Sequence, residues 1–326
     1  MKIEIETKGR KSSTNRSFKQ TRGLRNQAGQ AGFRSIVVPI DFSETSIKAL
    51  DYVLVLAAEF GSKIHLVHVL EFPAVFNSTA KPSHAIWDKE AKKIAASRLA
   101  ELVETKVDEL ITANSEVRFG SAHKVICDTA RAQKADLIVI GTHGFTGLKH
   151  LLLGSTAERV IRHAPCSVLT IRSQHARDAK SILKLKKILV PTDFSNSSDA
   201  ALQAAASLAR QYSAQLHLLH VVPVYYGVGE YEQVNYRLLE VEEMEVAQNK
   251  LATLGKNLLA KQISAKTEIR RGRPAMEITE VSEELGSDLM VIATHGITGW
   301  QHALLGSTTE EVVRHSTCPV LVVRKK

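Results

Sequence analysis

Short apolar runs alternate with longer amphipathic stretches along the whole chain. Residues 34–41 and 136–141 are runs rich in Val and Ile, which is typical of strands buried on both faces, as in a parallel sheet. Residues 43–60 repeat apolar positions at helical spacing between Ser43, a residue type that caps helix starts, and Gly61, a residue type that ends helices. In the first half the pattern predicts strands at residues 34–41, 63–70, 116–119, 136–141 and 166–172, and helices at 43–60, 87–112, 122–133 and 155–163.

Strand and helix alternate in this way through both halves of the chain. Such alternation predicts an α/β fold with right-handed crossovers and a parallel sheet covered by helices on both faces. In an open sheet of this class, ligands sit at the carboxyl ends of the strands where the strand order reverses. If the order is 3-2-1-4-5, the reversal lies between the first and fourth strands, which end at Asp41 and Gly141.

The second half of the chain repeats the first with an offset of 152 residues. This period is longer than the roughly 20–50 residues of solenoid repeats, so it indicates a duplicated domain. We expect one domain at residues 33–172 and the other at residues 187–326, joined by a basic connector at residues 173–186. The matched positions include Asp41 and Asp193, Gly144 and Gly296, and Gly154-Ser155 and Gly306-Ser307.

Positive charge is concentrated at the amino end. The net charge is +9, and residues 1–32, with eight Lys and Arg against two Glu, contribute +6 of it. This segment is polar and poor in apolar residues, so we expect a disordered basic tail. A weak contact with nucleic acid or an anionic membrane surface is one role for such a tail. We favour a solvated extension, because only Phe18 interleaves the charges as a stacking residue.

The composition also bears on location. No apolar run approaches the roughly 20 residues of a membrane helix, and the opening residues lack the apolar core of a secretory signal. The chain has three cysteines, Cys127, Cys166 and Cys318, an odd number that argues against a disulfide framework and for a reducing compartment. We therefore expect a cytoplasmic protein without a transmembrane segment.

The most specific motif follows the fourth strand. Gly141-Thr-His-Gly144 is followed by nine residues and then by Gly154-Ser155-Thr156 at the start of a helix. Glycines let a backbone approach a ligand closely, and a helix N-terminus offers unpaired N–H groups and a positive dipole end to phosphate. The plainer alternative is that the glycines only serve tight turns, but the same context in both halves favours phosphate binding.

Two further expectations concern the ends of this site. Ser155 with Glu158, and Ser307 with Glu310, both fit the Ser/Thr-x-x-Glu capping box, which would make the serine hydroxyl less available to a phosphate. For Asp41, position favours a ligand contact, and the alternative is that its own segment caps the helix that follows.

Three motifs recur at matching places in the two halves: Pro-x-Asp ending the first strand, His-Val ending the second, and His-x2-Cys-x-Val entering the fifth. A fourth, Gly-x2-Gly-x9-Gly-Ser after the fourth strand, is complete in the first half and has Ala293 in place of its first glycine in the second. Together they resemble the universal stress protein family in its tandem form, over residues 34–172 and 186–324. The resemblance implies two Rossmann-like domains of the adenine nucleotide alpha hydrolase type, each a parallel sheet of order 3-2-1-4-5. It also implies that ATP is held at this loop, with or without Mg²⁺, as in the family's nucleotide-binding branch.

Carried onto this chain residue by residue, the resemblance implies one set of nucleotide contacts in each domain. In the first domain they are Pro39, Ile40 and Asp41 at the end of the first strand, with Asp41 meeting the adenosine, Val69 lining the adenine pocket, Ile140 and Gly141 at the ribose edge, and Gly144, Gly154, Ser155 and Thr156 at the phosphates. In the second domain they are Asp193, Val221, Gly296, Gly306, Ser307 and Thr308. His143, like His295 in the second loop, would either bond to the triphosphate or only pack within the loop.

One position differs between the copies at this site. Gly141 is matched by Ala293, whose methyl group is a steric cost if the position needs a positive φ or a backbone close to the sugar. We therefore expect the first site to bind nucleotide more tightly than the second.

Functional roles for several histidines and cysteines have weaker support than those of the loop residues. The second-strand histidines are expected to be core or rim residues, since no Cys/His cluster with zinc spacing accompanies them, and the helix-end histidines suit the helix dipole. Cys166 and Cys318 are expected to be small core residues, and the replacement of Cys127 by Thr279 weakens a catalytic role for it. The histidines concerned are His65 and His217, His68 and His220, and His163 and His315.

The absent motifs favour binding over catalysis. The chain has neither a Gly-x4-Gly-Lys-Ser/Thr P-loop nor Gly-x-Gly-x2-Gly after the first strand, and no acid–base pair or supported nucleophile stands out. We expect ATP or another adenine nucleotide to be a signalling or stabilising ligand in a stress response, with no catalytic residue. Slow ATP hydrolysis and a nucleotide-free scaffolding or chaperone-like role are the alternatives.

The fifth strands of the two halves are expected to be sheet edges, which need pairing or cover. Pairing residues 167–172 with residues 319–324 would make an internal pseudo-dimer, and pairing either with a second chain would make a homodimer. Output is expected to run through an unknown protein partner.

Overall fold

The computed structural model of the chain describes residues 32–71, 84–142, 153–172, 184–224, 230–296 and 305–324. Nearly all of the expected basic tail and most of the connector lie outside the described residues. The same is true of two expected site residues, His143 and Gly144.

Strands and helices alternate through both halves of the described chain. The first half contains β1 (Ser35–Pro39), α1 (Glu44–Phe60), β2 (Lys63–Leu70), α2 (His84–Lys106), β3 (Ala113–Phe119), α3 (Ala122–Ala132), β4 (Leu137–Gly141), α4 (Ser155–His163) and β5 (Ser167–Ile171). The second half contains β6 (Lys187–Pro191), α5 (Asn196–Tyr212), β7 (Gln215–Val222), α6 (Glu230–Ala260), β8 (Ala265–Arg271), α7 (Pro274–Leu285), β9 (Leu289–Ala293), α8 (Ser307–His315) and β10 (Val320–Val323). Of the helices described, none combines the length and the apolar character needed to cross a membrane.

The strands form one ten-stranded sheet with the order β3-β2-β1-β4-β5-β10-β9-β6-β7-β8. Within each half the pairs are parallel and follow the order 3-2-1-4-5, which confirms the predicted fold class. The halves meet where β5 and β10 pair antiparallel, with Leu169 opposite Leu321. Both edges of each fifth strand are occupied, so a second chain has no free edge there to pair with.

Two apolar cores cover the two faces of the sheet and run across the junction of the halves. The core under α1, α2, α5 and α6 includes Leu169 and Leu321, and the core under α3, α4, α7 and α8 includes Val168 and Val322. None of these four side chains is more than 4 % exposed. Since full burial of a Leu or Val side chain contributes about 1.5–3 kcal/mol, the junction is stabilised as a shared interior.

The first helix of each half is capped by the residues that follow its first strand. Ser43 accepts a hydrogen bond from Ser46 N at 3.2 Å, and Gly61 ends α1 with a left-handed φ of 67°. Ser195 caps α5 in the same way, and Ser213 ends it with a φ of 52°. Both helices therefore start immediately beyond the carboxyl end of the first strand.

The second helix and the third strand differ from their predicted bounds. α2 ends at Lys106 instead of near residue 112, and β3 begins at Ala113 instead of Glu116. Asp108 explains the difference, because its carboxylate accepts a hydrogen bond from Leu110 N at 2.9 Å. Such local bonds make Asp favour turns over helices.

Gly141, at the end of β4, packs against α1. A methyl group here would lie 2.9 Å from Thr45 Cγ2 and 3.1 Å from the Thr45 carbonyl carbon, and the φ of Gly141 is outside the left-handed region. The equivalent residues in the second half are Ala293 and Ser197. The methyl group that Ser197 lacks is thus supplied by Ala293, and the two copies fill the same space in opposite ways.

We expect Gly141→Ala to destabilise the protein by about 1–3 kcal/mol, as overpacking of a core does. Adding Thr45→Ser should recover more than half of that loss, because it recreates the pair found at positions 293 and 197. Chemical denaturation of the wild type, both single variants and the double variant measures this. Ser197→Thr, with and without Ala293→Gly, is the reciprocal control. A double variant as unstable as Gly141→Ala would contradict the packing explanation.

Candidate functional site

The reversal of strand order brings the expected site residues to one end of each half-sheet. β1 and β4 lie side by side, with Ile36 paired to Leu137, and β6 and β9 repeat this arrangement. In the second domain, a methyl group at Gly296 would lie 2.5 Å from Asp193 Oδ2. The loop after the fourth strand therefore meets the aspartate that follows the first strand.

Asp41 lies in a turn that the N-cap of α1 stabilises. Its Oδ1 accepts hydrogen bonds from Ser43 N at 2.9 Å and Ser43 Oγ at 2.5 Å, and Ser43 itself caps the helix. Asp193 Oδ1 accepts a hydrogen bond from Ser195 N at 3.0 Å in the same way. The serine is therefore the cap, and it orients the carboxylate of Asp41, which is exposed at the site.

The residue after Asp41 is held in an uncommon backbone conformation. Phe42 has a φ of 64°, which for a non-glycine residue requires support from its surroundings. Its ring centroid lies 4.8 Å from that of His68 and 4.1 Å from the guanidinium carbon of Arg98. His68 Nδ1 is 2.6 Å from Ile40 O, so the stack ties the end of β1 to β2 and α2.

The second domain repeats this stack. Phe194, with a φ of 62°, lies 4.5 Å from the His220 ring, and Lys250 Nζ lies 5.1 Å from the Phe194 ring. His220 Nδ1 is 2.8 Å from Thr192 O, so this histidine, like His68, is a rim residue bonded to the backbone. Sequence reasoning missed the aromatic and cationic members of the stack. Their recurrence at the offset of 152 residues was the signal that could have found them.

A backbone hydrogen bond closes the base of the loop after the fourth strand. Gly154 N donates to Thr142 O at 2.7 Å, and Gly306 N donates to Thr294 O at 2.9 Å. A methyl group at Gly154 would lie 2.9 Å from Thr142 O, so the close approach requires glycine. Both threonines are buried, and sequence reasoning missed them although both directly follow the fourth strand.

The predicted capping boxes are wrong, because Gly154 and Gly306 are the N-caps of α4 and α8. Gly154 is extended, with φ −60° and ψ 137°, and its carbonyl accepts the first helical bond, from Glu158 N at 3.0 Å. The bond to the preceding threonine turns the chain at this glycine, so the glycine is the N-cap and the helix itself begins at Ser155, as predicted. Ser155 and Ser307 stand at the first helical position and are exposed.

With glycine as the N-cap, the helix start is suited to an anion. The glutamates of the expected boxes pair instead with arginines one turn further on, Glu158 with Arg162 at 3.0 Å and Glu310 with Arg314 at 2.8 Å. The N–H groups of residues 155–157 precede the first helical bond and carry the positive end of the helix dipole. With the serine hydroxyl beside them, these groups can bind a phosphate.

The expected contacts on the strands are mostly buried. Ile40 is 2 % exposed, Ile140 5 % and Val221 8 %, whereas Pro39 and Val69 are half-buried. At the buried positions a ligand would meet backbone atoms instead of side chains, so these residues shape the floor of the site.

The steric argument for ranking the two sites left out the first helix, and the ranking itself stays a prediction. The methyl group at this strand end points at the first helix, where Ser197 leaves room for it, and so does not narrow the loop. Ala293 O also accepts a hydrogen bond from Thr309 Oγ1 at 2.8 Å, whereas Ala157 occupies the equivalent position in the first domain. This bond gives the strand end of the second site a contact with α8 that the first domain lacks a hydroxyl to make.

The contacts and burial of the other histidines and cysteines point to structural roles. His217 Nε2 lies 2.6 Å from Glu268 Oε2, and His295 Nδ1 lies 2.9 Å from Thr294 Oγ1. Burial raises the pKa of the Cys127 thiol to about 11, which makes it a poor nucleophile at neutral pH. Within the described ranges, no three His, Cys, Asp or Glu side chains are grouped so that they could hold a metal ion.

Known proteins resemble this chain over both halves. The sequence model of the universal stress protein family matches residues 32–172 and 184–324. A universal stress protein of Mycolicibacterium smegmatis is 26% identical over 314 residues, covering 89% of this chain and 97% of that protein. A universal stress protein of Methanocaldococcus jannaschii is 36% identical over 140 residues, covering 43% of this chain and 82% of that protein.

A solved structure agrees at the level of the fold. The crystal structure of a universal stress protein from Archaeoglobus fulgidus matches with a TM-score of 0.61 at 23% identity, and the match covers 90% of this chain and 98% of that one. The family match extends over both repeated domains. The chain therefore belongs to the universal stress protein family, with two family domains in tandem.

Proposed function

We propose that each domain binds an adenine nucleotide, ATP above all, with its phosphates at the N-terminus of α4 or α8. The observation that carries the proposal is the closed loop, in which a glycine N–H bonded to a threonine carbonyl pins the loop base in both domains. The helix end behind it offers N–H donors, an exposed hydroxyl and the positive end of a dipole, a combination that suits phosphate.

The adenosine part would lie at the end of the first strand. The carboxylates of Asp41 and Asp193, oriented by the serines that follow, can accept hydrogen bonds from ribose hydroxyls or an adenine amino group. The half-buried Val69 would supply an apolar side chain for the base, and the buried Val221 would meet it through the backbone. The nucleotide would then span the two strand ends that the reversed strand order brings together, and Mg²⁺ would be held mainly by phosphate oxygens and water.

The acidic groups around the helix start favour a receptor over a hydrolase. Glu158 and Glu310 are engaged by Arg162 and Arg314 at 3.0 and 2.8 Å, and Asp41 accepts two hydrogen bonds from the helix cap. Carboxylates held in this way are poorly placed to take a proton from an attacking water. We therefore favour a nucleotide that signals or stabilises over one that is consumed.

The wider role belongs to the same proposal. All three cysteines are buried thiols outside any disulfide, which suits the reducing environment of the cytoplasm. Nucleotide binding would stabilise the folded chain by mass action, and output in a stress response would pass through contacts with a partner protein.

Purified protein is expected to release an adenine nucleotide on denaturation, identified by mass spectrometry. MgATP at a hundred times its Kd should stabilise the fold by about 2.7 kcal/mol for each site, and calorimetric titration should approach two ligands per chain. Inorganic triphosphate, which lacks the adenosine, is the control and should bind more weakly. Protein that neither carries nor binds nucleotide would favour the scaffolding role, and steady release of ADP would favour slow hydrolysis.

The phosphate end is tested by Ser155→Glu and Ser307→Glu, which put a carboxylate at the first helical position. We expect each to abolish nucleotide binding in its own domain by charge repulsion, while the fold is kept because an acid at this end suits the helix dipole. In calorimetry each single variant should bind one equivalent of MgATP and the double variant none.

Ser155→Ala is the matched control for these charge variants. It removes only a hydroxyl, so binding should weaken by less than about tenfold. Two equivalents bound by both glutamate variants would show that the phosphates lie elsewhere.

A further inference from the structure

The C-terminal ends of α4 and α8 are held by arginines of the opposite domain. Arg324, which follows β10, donates to Ala164 O and, at 2.8 Å, to Arg162 O at the end of α4. Arg172, which follows β5, donates to Ser316 O at 3.1 Å at the end of α8. The last carbonyls of a helix lack partners within it, and a cation is favourable there, so each domain caps a helix of the other.

Arg172 is buried and Arg324 is partly buried. Arg172 is 7 % exposed, and burial lowers the pKa of both guanidinium groups. Arginine nevertheless stays charged at neutral pH, and a buried charge needs hydrogen-bond partners. The helix carbonyls of the other domain supply these partners, and losing the arginine would leave those carbonyls without their donor.

An ion pair joins the two helices directly, and an ion pair within each helix accompanies it. Arg162 Nη2 lies 3.0 Å from Glu158 Oε1 and 3.6 Å from Glu310 Oε2 of the other domain, and Arg314 Nη2 lies 2.8 Å from Glu310 Oε1. These side chains are partly exposed, where ion pairs contribute little. The capping arginines are thus the stronger constraint on where each helix sits.

We propose that Arg324 and Arg172 are positioning residues that each hold the anion-binding helix of the other domain. The inference rests on the proposed function, because the N-termini of these same helices would bind the phosphates. α4 and α8 have nine residues each, too few for an isolated helix to be stable, so the position of the N-terminus depends on the anchored C-terminus. Each nucleotide site is completed by the domain that does not contain it.

A purely adhesive role for the arginines predicts a different outcome. If they only held the domains together, losing either one would weaken both sites alike or neither. A positioning role predicts a crossed effect, in which loss of Arg324 from the second domain weakens the first site and loss of Arg172 from the first domain weakens the second.

The test uses the full chain with one site blocked at a time and MgATP as the probe. With Ser307→Glu blocking the second site, Arg324→Met should weaken MgATP binding at the first site by about tenfold, within the range usual for coupled sites. With Ser155→Glu blocking the first site, the same Arg324→Met should leave the affinity of the second site within about twofold. Arg172→Met is the matched control and should give the reverse pattern.

The conservative Arg324→Lys variant keeps the charge but lacks the planar fork with which the guanidinium reaches two carbonyls through separate nitrogens. Its MgATP affinity at the first site should lie between those of the wild type and Arg324→Met. This variant serves as the test if Arg324→Met fails to fold.

Hydrogen exchange gives a second measurement that needs no nucleotide. In Arg324→Met, the amides of Ser155–His163 should exchange faster than in the wild type while those of Ser307–His315 keep their rates, and Arg172→Met should do the opposite. If this crossed pattern of hydrogen exchange is found in a chain that binds no MgATP, the proposed function is wrong and the positioning role stands. Equal effects on both helices, or on neither, would overturn the inference.

Discussion

The antiparallel pairing of β5 with β10 is the interaction on which the rest of the structure depends. Strand edges left unpaired invite association with other chains, and here the two central edges pair with each other. The pairing lets the cores on both faces of the sheet continue from one half to the other. Because Leu169 faces Leu321, it also sets how far Arg172 and Arg324 reach beyond their strands into the opposite domain.

This shared centre is connected to both candidate sites by short helices. α4 and α8 begin at the sites and end at the junction, a span of nine residues, or about 13 Å. Both ends of each helix dipole are complemented, by an anion at the N-terminus and by a guanidinium at the C-terminus. Ligand binding and domain packing therefore act on the same elements from opposite ends.

The sequence predicted the sheet and the place of the site well because both follow from local patterns. The apolar run of β2 bounded that strand, and Ser43 and Gly61 marked the ends of α1. The capping boxes were wrong because Ser-x-x-Glu is a local pattern, whereas the start of α4 is decided by the approach of Gly154 to Thr142 across a loop. The steric argument for ranking the sites left out the first helix for a similar reason, since the surroundings of a methyl group depend on a helix far back in the chain.

Because both domains are on one chain, dilution cannot separate them. In an assembly of separate single-domain subunits, any support that one gives the other is lost when the subunits dissociate, whereas a covalent link keeps the effective concentration constant. The reciprocal arginine caps are then present in every molecule, however few molecules there are. Each half can also solve the same packing problem with different residues, as Gly141 with Thr45 and Ala293 with Ser197 do.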